Sequence, residues 1–180
     1  EMCIRDRFNP RDIFGSYRDM DHIYNTPRAW FMGRFLAPHT YRWDGENADF
    51  TPESDDIPWS YVPERKVAAE DIQYLLSSHY QGTPYDPYAG RSAEKSCIYR
   101  PIGINRNSQL AVLQLRPYAQ PAYRAVQWMA FGSNSFNALV PLYANVETMP
   151  EYYADTQARV TSENFYWANR LIGALADVRF

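Results

Sequence analysis

The sequence predicts an α+β layered domain, and three observations carry that prediction. Two stretches, residues 67–80 and a C-terminal one capped at Thr161 or Ser162, place apolar side chains at helical spacing. Between them the runs 96–105, 109–116 and 123–131 alternate with turn material as the strands of an antiparallel meander do. A length of 180 residues with 46% hydrophobic content fits one compact domain with a sizeable core.

Taken in order, residues 12–36 carry clustered aromatics around Pro27, which predicts a short helix followed by an extended segment. Residues 37–63 are rich in Pro, Asp and Thr, with Trp43, Trp59 and Tyr61 interspersed. This reads as a long ordered loop with its own aromatic anchors, and an interdomain linker is the competing reading. In the helix at 67–80, Ala68, Ile72, Leu75, Leu76 and His79 form one face, while Glu70, Asp71 and Gln73 occupy the rest. Gly82 is expected to end it, since Thr83-Pro84-Tyr85-Asp86-Pro87 cannot continue a helix.

Among the strands, Leu110/Val112 and Ala111/Leu113/Leu115 make both faces of the second run apolar, and Val126/Trp128 and Met129/Phe131 do the same in the third, so cover on both sides is expected. The longest uncharged run, between Arg124 and Glu147, is broken by Gln127, Asn134, Asn137 and Pro141. It reads as a buried strand followed by a polar turn, not as a membrane span. In the last helix Glu163 falls in the first turn, and Phe165, Ala168, Leu171, Ile172 and Leu175 form a core stripe.

A net charge of −3 and a pI near 5.6 provide no basic field for a nucleic-acid backbone. Cys3 and Cys97 are too few for a disulfide framework. His22, His39 and His79 lack the close spacing of metal ligands, and no glycine loop of the phosphate-cradling type occurs. The carboxylate pairs Asp19/Asp21 and Asp55/Asp56 lie in polar loop-like settings and read as solvated or capping groups. Arginine outnumbers lysine, so some guanidinium groups are expected to be structural clamps or substrate anchors. Cys3 follows Glu1 and Met2, so it cannot serve as a terminal nucleophile as the sequence stands. Both ends of the chain read as cut.

Longer strings are more specific: Asp12-Ile13-Phe14-Gly15-Ser16, Tyr24-Asn25-Thr26-Pro27-Arg28-Ala29-Trp30, and Ser77-Ser78-His79-Tyr80-Gln81-Gly82-Thr83-Pro84-Tyr85-Asp86. Further on come Arg100-Pro101-Ile102-Gly103-Ile104-Asn105-Arg106-Asn107, Val126-Gln127-Trp128-Met129-Ala130-Phe131-Gly132, Phe136-Asn137-Ala138-Leu139-Val140-Pro141 and Asn164-Phe165-Tyr166-Trp167-Ala168-Asn169-Arg170-Leu171. In order and content, from about Arg11 onward, the chain resembles the bacterial dipeptidase A family of N-terminal-nucleophile (Ntn) cysteine peptidases. That family is related to secernins and choloylglycine hydrolases.

The resemblance implies part of an Ntn-hydrolase αββα four-layer sandwich with antiparallel sheets. It also implies dipeptide hydrolysis, in which a terminal cysteine thiolate attacks the peptide carbonyl, its own amino group handles the protons, and water releases the thioester. No metal or organic cofactor is implied. The family's cysteine, followed by small hydroxyl residues, belongs upstream of Asp12-Ile13-Phe14-Gly15, so no catalytic residue is assigned to this chain. Residues 1–10 are expected to be a non-native or disordered end, and residues 11–180 a fragment of a single dipeptidase domain, inactive in isolation.

Arg28, His79, Tyr80 and Asn105 are the expected pocket walls, with Arg28 pairing a substrate carboxylate. The expected partner is a dipeptide, with no nucleic acid and no membrane. Homo-oligomerisation is left open, and the cytoplasm is slightly favoured over other compartments. The competing function is a non-catalytic, aromatic-rich ligand-binding module that stacks sugars on exposed rings. Against it, Trp128, Phe131, Phe165 and Leu171 fall in patterns that predict buried side chains.

Overall fold

A computed structural model of the chain describes residues 9–89, 95–104, 106–132, 136 and 138–178. It is a mixed structure of helices and one antiparallel sheet, in agreement with the expected α+β class. The described residues divide into two compact units, one drawn from Glu1–Val67 and Tyr80–Pro101, the other from Ala68–His79 and Ile102–Phe180.

The first unit is built on three helices, α1 (Pro10–Phe14), α2 (Asp21–Tyr24) and α3 (Thr26–Leu36). The Asn9 side chain caps α1 by accepting the Arg11 N–H at 3.0 Å, and Pro10 sits in the first turn, where its missing N–H is no loss. Pro27 acts in the same way at the start of α3. The expected extended segment after Pro27 is therefore an eleven-residue helix. A proline near a helix N-terminus starts the helix instead of breaking it.

Helix α3 buries Trp30 and Phe31, and the loop that follows folds back on it. Trp43 is buried; its indole N–H donates to the Ala37 carbonyl at 2.9 Å, and its own carbonyl accepts the Trp30 indole N–H at 2.9 Å. Gly33 makes this packing possible, because a Cβ there would fall 2.2 Å from Trp43 Cη2. Tyr41 and Phe50 close a ring cluster with Trp43, at centroid separations of 5.3–5.7 Å. Glu64 ends the loop: its N–H donates to Leu36 O at 2.9 Å, and its carboxylate accepts from the His39 and Thr40 amides, the Thr40 hydroxyl and His39 Nδ1. Residues 37–63 are thus an ordered loop with aromatic anchors, not a linker.

The second unit begins with α4 (Ala69–Leu76), at whose start the Asp71 carboxylate accepts the Ala68 N–H at 2.8 Å. Leu75 is its buried residue. The helix is shorter than the expected 67–80. The Ser77 hydroxyl and amide both donate to Gln73 O, the Ser78 amide turns back to Leu75 O at 3.1 Å, and Tyr80 takes a left-handed backbone with φ 67°. His79 therefore leaves the apolar stripe, and Gly82 lies in a later turn.

The sheet has the order β1-β2-β3, with β1 (Gln109–Leu115), β2 (Ala125–Phe131) and β3 (Val140–Tyr143) all antiparallel. A 3₁₀ turn, Pro121–Tyr123, joins the first two strands. The expected strand at 96–105 is not formed over 96–104: Cys97 has φ 67°, and bends and turns fill the segment. The third strand of the meander is β3 instead, a sheet edge where Pro141 opposite Trp128 costs no needed ladder bond.

Helices α5 (Glu151–Ala154) and α6 (Phe165–Asp177) complete the unit. Helix α6 is capped by Asn164, whose side chain accepts the Trp167 N–H at 2.9 Å; Thr161 and Ser162, the expected caps, precede it, and Glu163 lies outside its first turn. Phe165, Asn169 and Gly173 form its buried line, while Ile172 and Leu175 of the expected stripe are exposed.

Cross-strand partners share a sheet face, so Ala111, Leu113, Leu115, Met129, Phe131, Val140 and Leu142 lie together. One end of that face is covered, since Phe131 packs against Phe165 and Tyr166 at 5.5 and 5.7 Å, and Tyr153 against Phe165 at 5.1 Å. The other end is bare. Leu113 and Leu115 are 77% and 80% exposed, so the cover expected on both faces is absent there among the described residues. Of the rings and side chains expected to be buried, Phe165 is; Trp128, Phe131 and Leu171 are half-buried.

Candidate active site

Two of the expected wall residues meet in the first unit. Tyr80 is fully buried, lies edge-on to Phe31 at 5.6 Å, and donates its hydroxyl to the Arg100 carbonyl at 2.7 Å. Arg28, in the first turn of α3, donates Nε to the same carbonyl at 3.3 Å. Arg100 is itself fixed, because its amide donates to Ile23 O at 3.0 Å. Burial pushes the Tyr80 phenol up against the opposing pull of Arg28, so Tyr80 stays a neutral donor. Thr83 locks the left-handed turn at Tyr80, its hydroxyl and amide both donating to Tyr80 O at 2.7 and 3.1 Å. Arg28 is half-buried and has no carboxylate partner among the described residues.

His79 belongs to the second unit and is half-buried. Its neighbour Ser78 is fully buried and accepts the Gly103 N–H at 2.7 Å. Gly103 must be a glycine, since a Cβ would come within 2.5 Å of the Ser77 carbonyl. The remaining expected wall residue, Asn105, lies outside the described residues.

Sequence reasoning passed over a second cluster in the first unit. Asp21, read as a solvated or capping carboxylate, is 8% exposed and accepts from the Ser16 hydroxyl, the Arg18 amide and the Asn25 side-chain amide. Those donors, Ser16 foremost, hold its carboxyl at about 2. An ionised carboxylate only accepts, so the Asn25 nitrogen must face Asp21, leaving the Asn25 oxygen without a donor among the described residues. Nearby, Arg11 donates to the carbonyl of Asp55 and to its carboxylate, both at 2.6 Å, and His22 Nε2 lies 3.1 Å from that carboxylate. Hydrogen bonds from His22 and Arg11 hold Asp55 below the usual carboxylate range.

Asn25 and Arg11 border two cavities. One, of about 300 Å³, runs from Asn25 and Thr26 along Ala29 and Met32 of α3. Its opposite wall is Ile57, Pro58, Trp59 and Tyr61 of the long loop. The other, of about 650 Å³, is more polar and more open, and Ser16, Arg18 and Asp21 contribute to it. Arg28 borders neither. The spacing of Asn25, Ala29 and Met32 on one helical face was a signal available in the sequence, but which loop would close over that face was not.

Among the described residues no group of three or more His, Cys, Asp or Glu side chains is arranged to hold a metal ion, and no helix is long and apolar enough to cross a membrane.

Comparison with known proteins adds to this geometry. The sequence pattern that defines Peptidase family C69 matches residues 1–180. The chain is 64% identical over 174 residues to a protein named dipeptidase from Bifidobacterium longum (strain NCC 2705), covering 96% of this chain and 33% of that protein. It is 48% identical over 176 residues to probable dipeptidase A of Streptococcus pyogenes serotype M1, covering 97% and 36%. Against dipeptidase A of Lactobacillus helveticus it is 38% identical over 179 residues, covering 98% and 35%. The chain thus spans about a third of the length of these relatives.

Proposed function

This chain belongs to peptidase family C69, and on that premise we propose that it forms part of a dipeptidase that cleaves dipeptides through an N-terminal cysteine. The observation that carries this reading is the 64% identity, across nearly the whole chain, to a protein named dipeptidase. In the proposed reaction the cysteine sulfur attacks the carbonyl carbon of the peptide bond, and the cysteine's own amino group takes the thiol proton. That proton passes to the leaving nitrogen as the C–N bond breaks. Water then attacks the thioester, releasing the second amino acid and restoring the thiol. The nucleophile is placed N-terminal to the Asp12-Ile13-Phe14-Gly15 segment in the full-length protein, so the part in hand supplies scaffold and pocket wall.

The same reading places residues 11–180 in one Ntn-hydrolase domain and the sheet in one half of a four-layer sandwich. Two features support it: the antiparallel β1-β2-β3 meander with helices packed on it, and the apolar, uncovered Leu113–Leu115 end where a second sheet can stack. Arg28 is assigned to a substrate carboxylate, supported by its lack of a carboxylate partner among the described residues and by the anchoring of Nε on the Arg100 carbonyl. Tyr80 holds that anchor, and His79 and Asn105 are retained as wall residues.

The test is hydrolysis of dipeptides by the full-length protein, before and after thiol alkylation, alongside residues 1–180 alone. Activity confined to the full-length protein and abolished by alkylation is expected. Hydrolysis that survives alkylation, or that residues 1–180 perform unaided, refutes the cysteine mechanism.

A further inference from the structure

We propose that the cavity between α3 and residues 57–61 is the subsite for an uncharged, apolar side chain of the dipeptide, walled by Ala29, Met32, Ile57, Pro58, Trp59 and Tyr61. This rests on the dipeptidase reading above and adds the substrate class that the site selects. At about 300 Å³ the cavity stands at the lower end of the ~300–1,000 Å³ range of small-molecule pockets, enough for one side chain and its adjoining backbone but not for a longer peptide.

Charge argues for an uncharged occupant. Among the described residues the cation at the rim is Arg11, already engaged by the Asp55 carboxylate and carbonyl and by Ser16 O at 3.3 Å, so it offers no free charge to an acidic side chain. No carboxylate among the described residues lines the cavity to draw a basic one. Among the polar groups of the lining, the Asn25 amide oxygen is turned from Asp21 and available to accept a single N–H, which orients a bound backbone at the mouth while the side chain enters between the walls. Trp59 is 44% exposed, so the ring of an incoming substrate can reach it without unfolding the wall.

The experiment measures kcat/KM of the full-length protein on two dipeptide series, X-Ala and Ala-X, with X as Ala, Leu, Phe, Asp or Lys. The wild type is expected to favour Leu and Phe over Asp and Lys by about tenfold or more in one series. Ala29→Leu, which fills the cavity from the helix side, and Trp59→Ala, which removes the opposite wall, should each lower the Phe-to-Ala ratio in that series at least about fivefold. Both positions are exposed enough for the variants to fold, and their thermal melts verify it. Ratios within twofold of wild type in both folded variants overturn the subsite while leaving the dipeptidase reading intact. Absence of hydrolysis on every dipeptide overturns both.

Discussion

Gly33→Ala tests the packing of the first unit at its tightest point. The added Cβ would lie 2.2 Å from Trp43 Cη2, 2.7 Å from Cζ2 and 2.9 Å from Cζ3, where carbon atoms normally stand about 3.5–4.0 Å apart. The indole must therefore shift by more than about 1 Å. It has little freedom to do so, being 4% exposed, bonded through its N–H to Ala37 O and flanked by Tyr41 and Phe50. Overpacking of this kind costs ~1–3 kcal/mol, and losing the indole hydrogen bond costs about 1 kcal/mol more. Alanine's better helix propensity returns about 1 kcal/mol. The net expectation is a destabilisation of ~1–3 kcal/mol, read by urea unfolding of the full-length protein followed by tryptophan fluorescence. Trp43→Leu in the Gly33→Ala background should remove part of the penalty, because the smaller side chain clears the new methyl. A Gly33→Ala protein that is unchanged, or more stable by the propensity term alone, refutes the reasoning.

Three more expectations follow from other contacts. The carboxyls of Asp21 and Glu64 are both held at about 2, Asp21 by Ser16, Arg18 and Asn25, and Glu64 by His39 and Thr40 donors that outweigh the effect of burial. Their folded-state values are depressed, so the stability they contribute is fully present above the unfolded value of about 4 and is lost as pH falls from there through 2. Melting temperature should therefore decline along that acid limb, and Asp21→Asn and Glu64→Gln should each flatten it; limbs of equal slope in both variants would contradict the assignment. Tyr80→Phe deletes the hydroxyl donor to Arg100 O but leaves Arg28 Nε there, so a loss of about 0.5–1.5 kcal/mol in urea unfolding is expected. Arg28→Lys in the full-length protein should weaken kinetics on free dipeptides more than on C-terminally amidated ones, and equal losses on the two would argue against carboxylate pairing.

Strands β1 and β2 were legible because their β-rich alternation is bounded by Arg106-Asn107-Ser108 and Pro117-Tyr118. Residues 96–105 carry similar local content but form no strand over 96–104. There the aromatic residue serves as a pillar: Tyr99 donates to Glu53 at 2.8 Å and packs on Tyr85 at 4.9 Å, which local pattern cannot foresee. Strand β3 was hidden by Pro141, which argues against a strand unless the edge position is known. Helix α6 was found with its cap misplaced, since Thr161, Ser162 and Asn164 are all competent and only tertiary packing chooses. In the candidate site, Arg28 and Tyr80 were singled out and do meet. Asp21 was passed over because its burial comes from donors at positions 16, 18 and 25, which sequence reading treats as unrelated turn residues.

The stretch between Leu36 and Glu64 contains no helix or strand, yet both its ends are gathered by one residue. Closing a segment of that size carries an entropic cost that grows only slowly with length. Residues could therefore be added or deleted around the exposed tip near Gly45 with little thermodynamic consequence, provided the knot at 39, 40 and 64 survives. The reach of that excursion is free to change at little cost to the fold, while the anchoring glutamate and the tryptophan beneath it do not share that freedom.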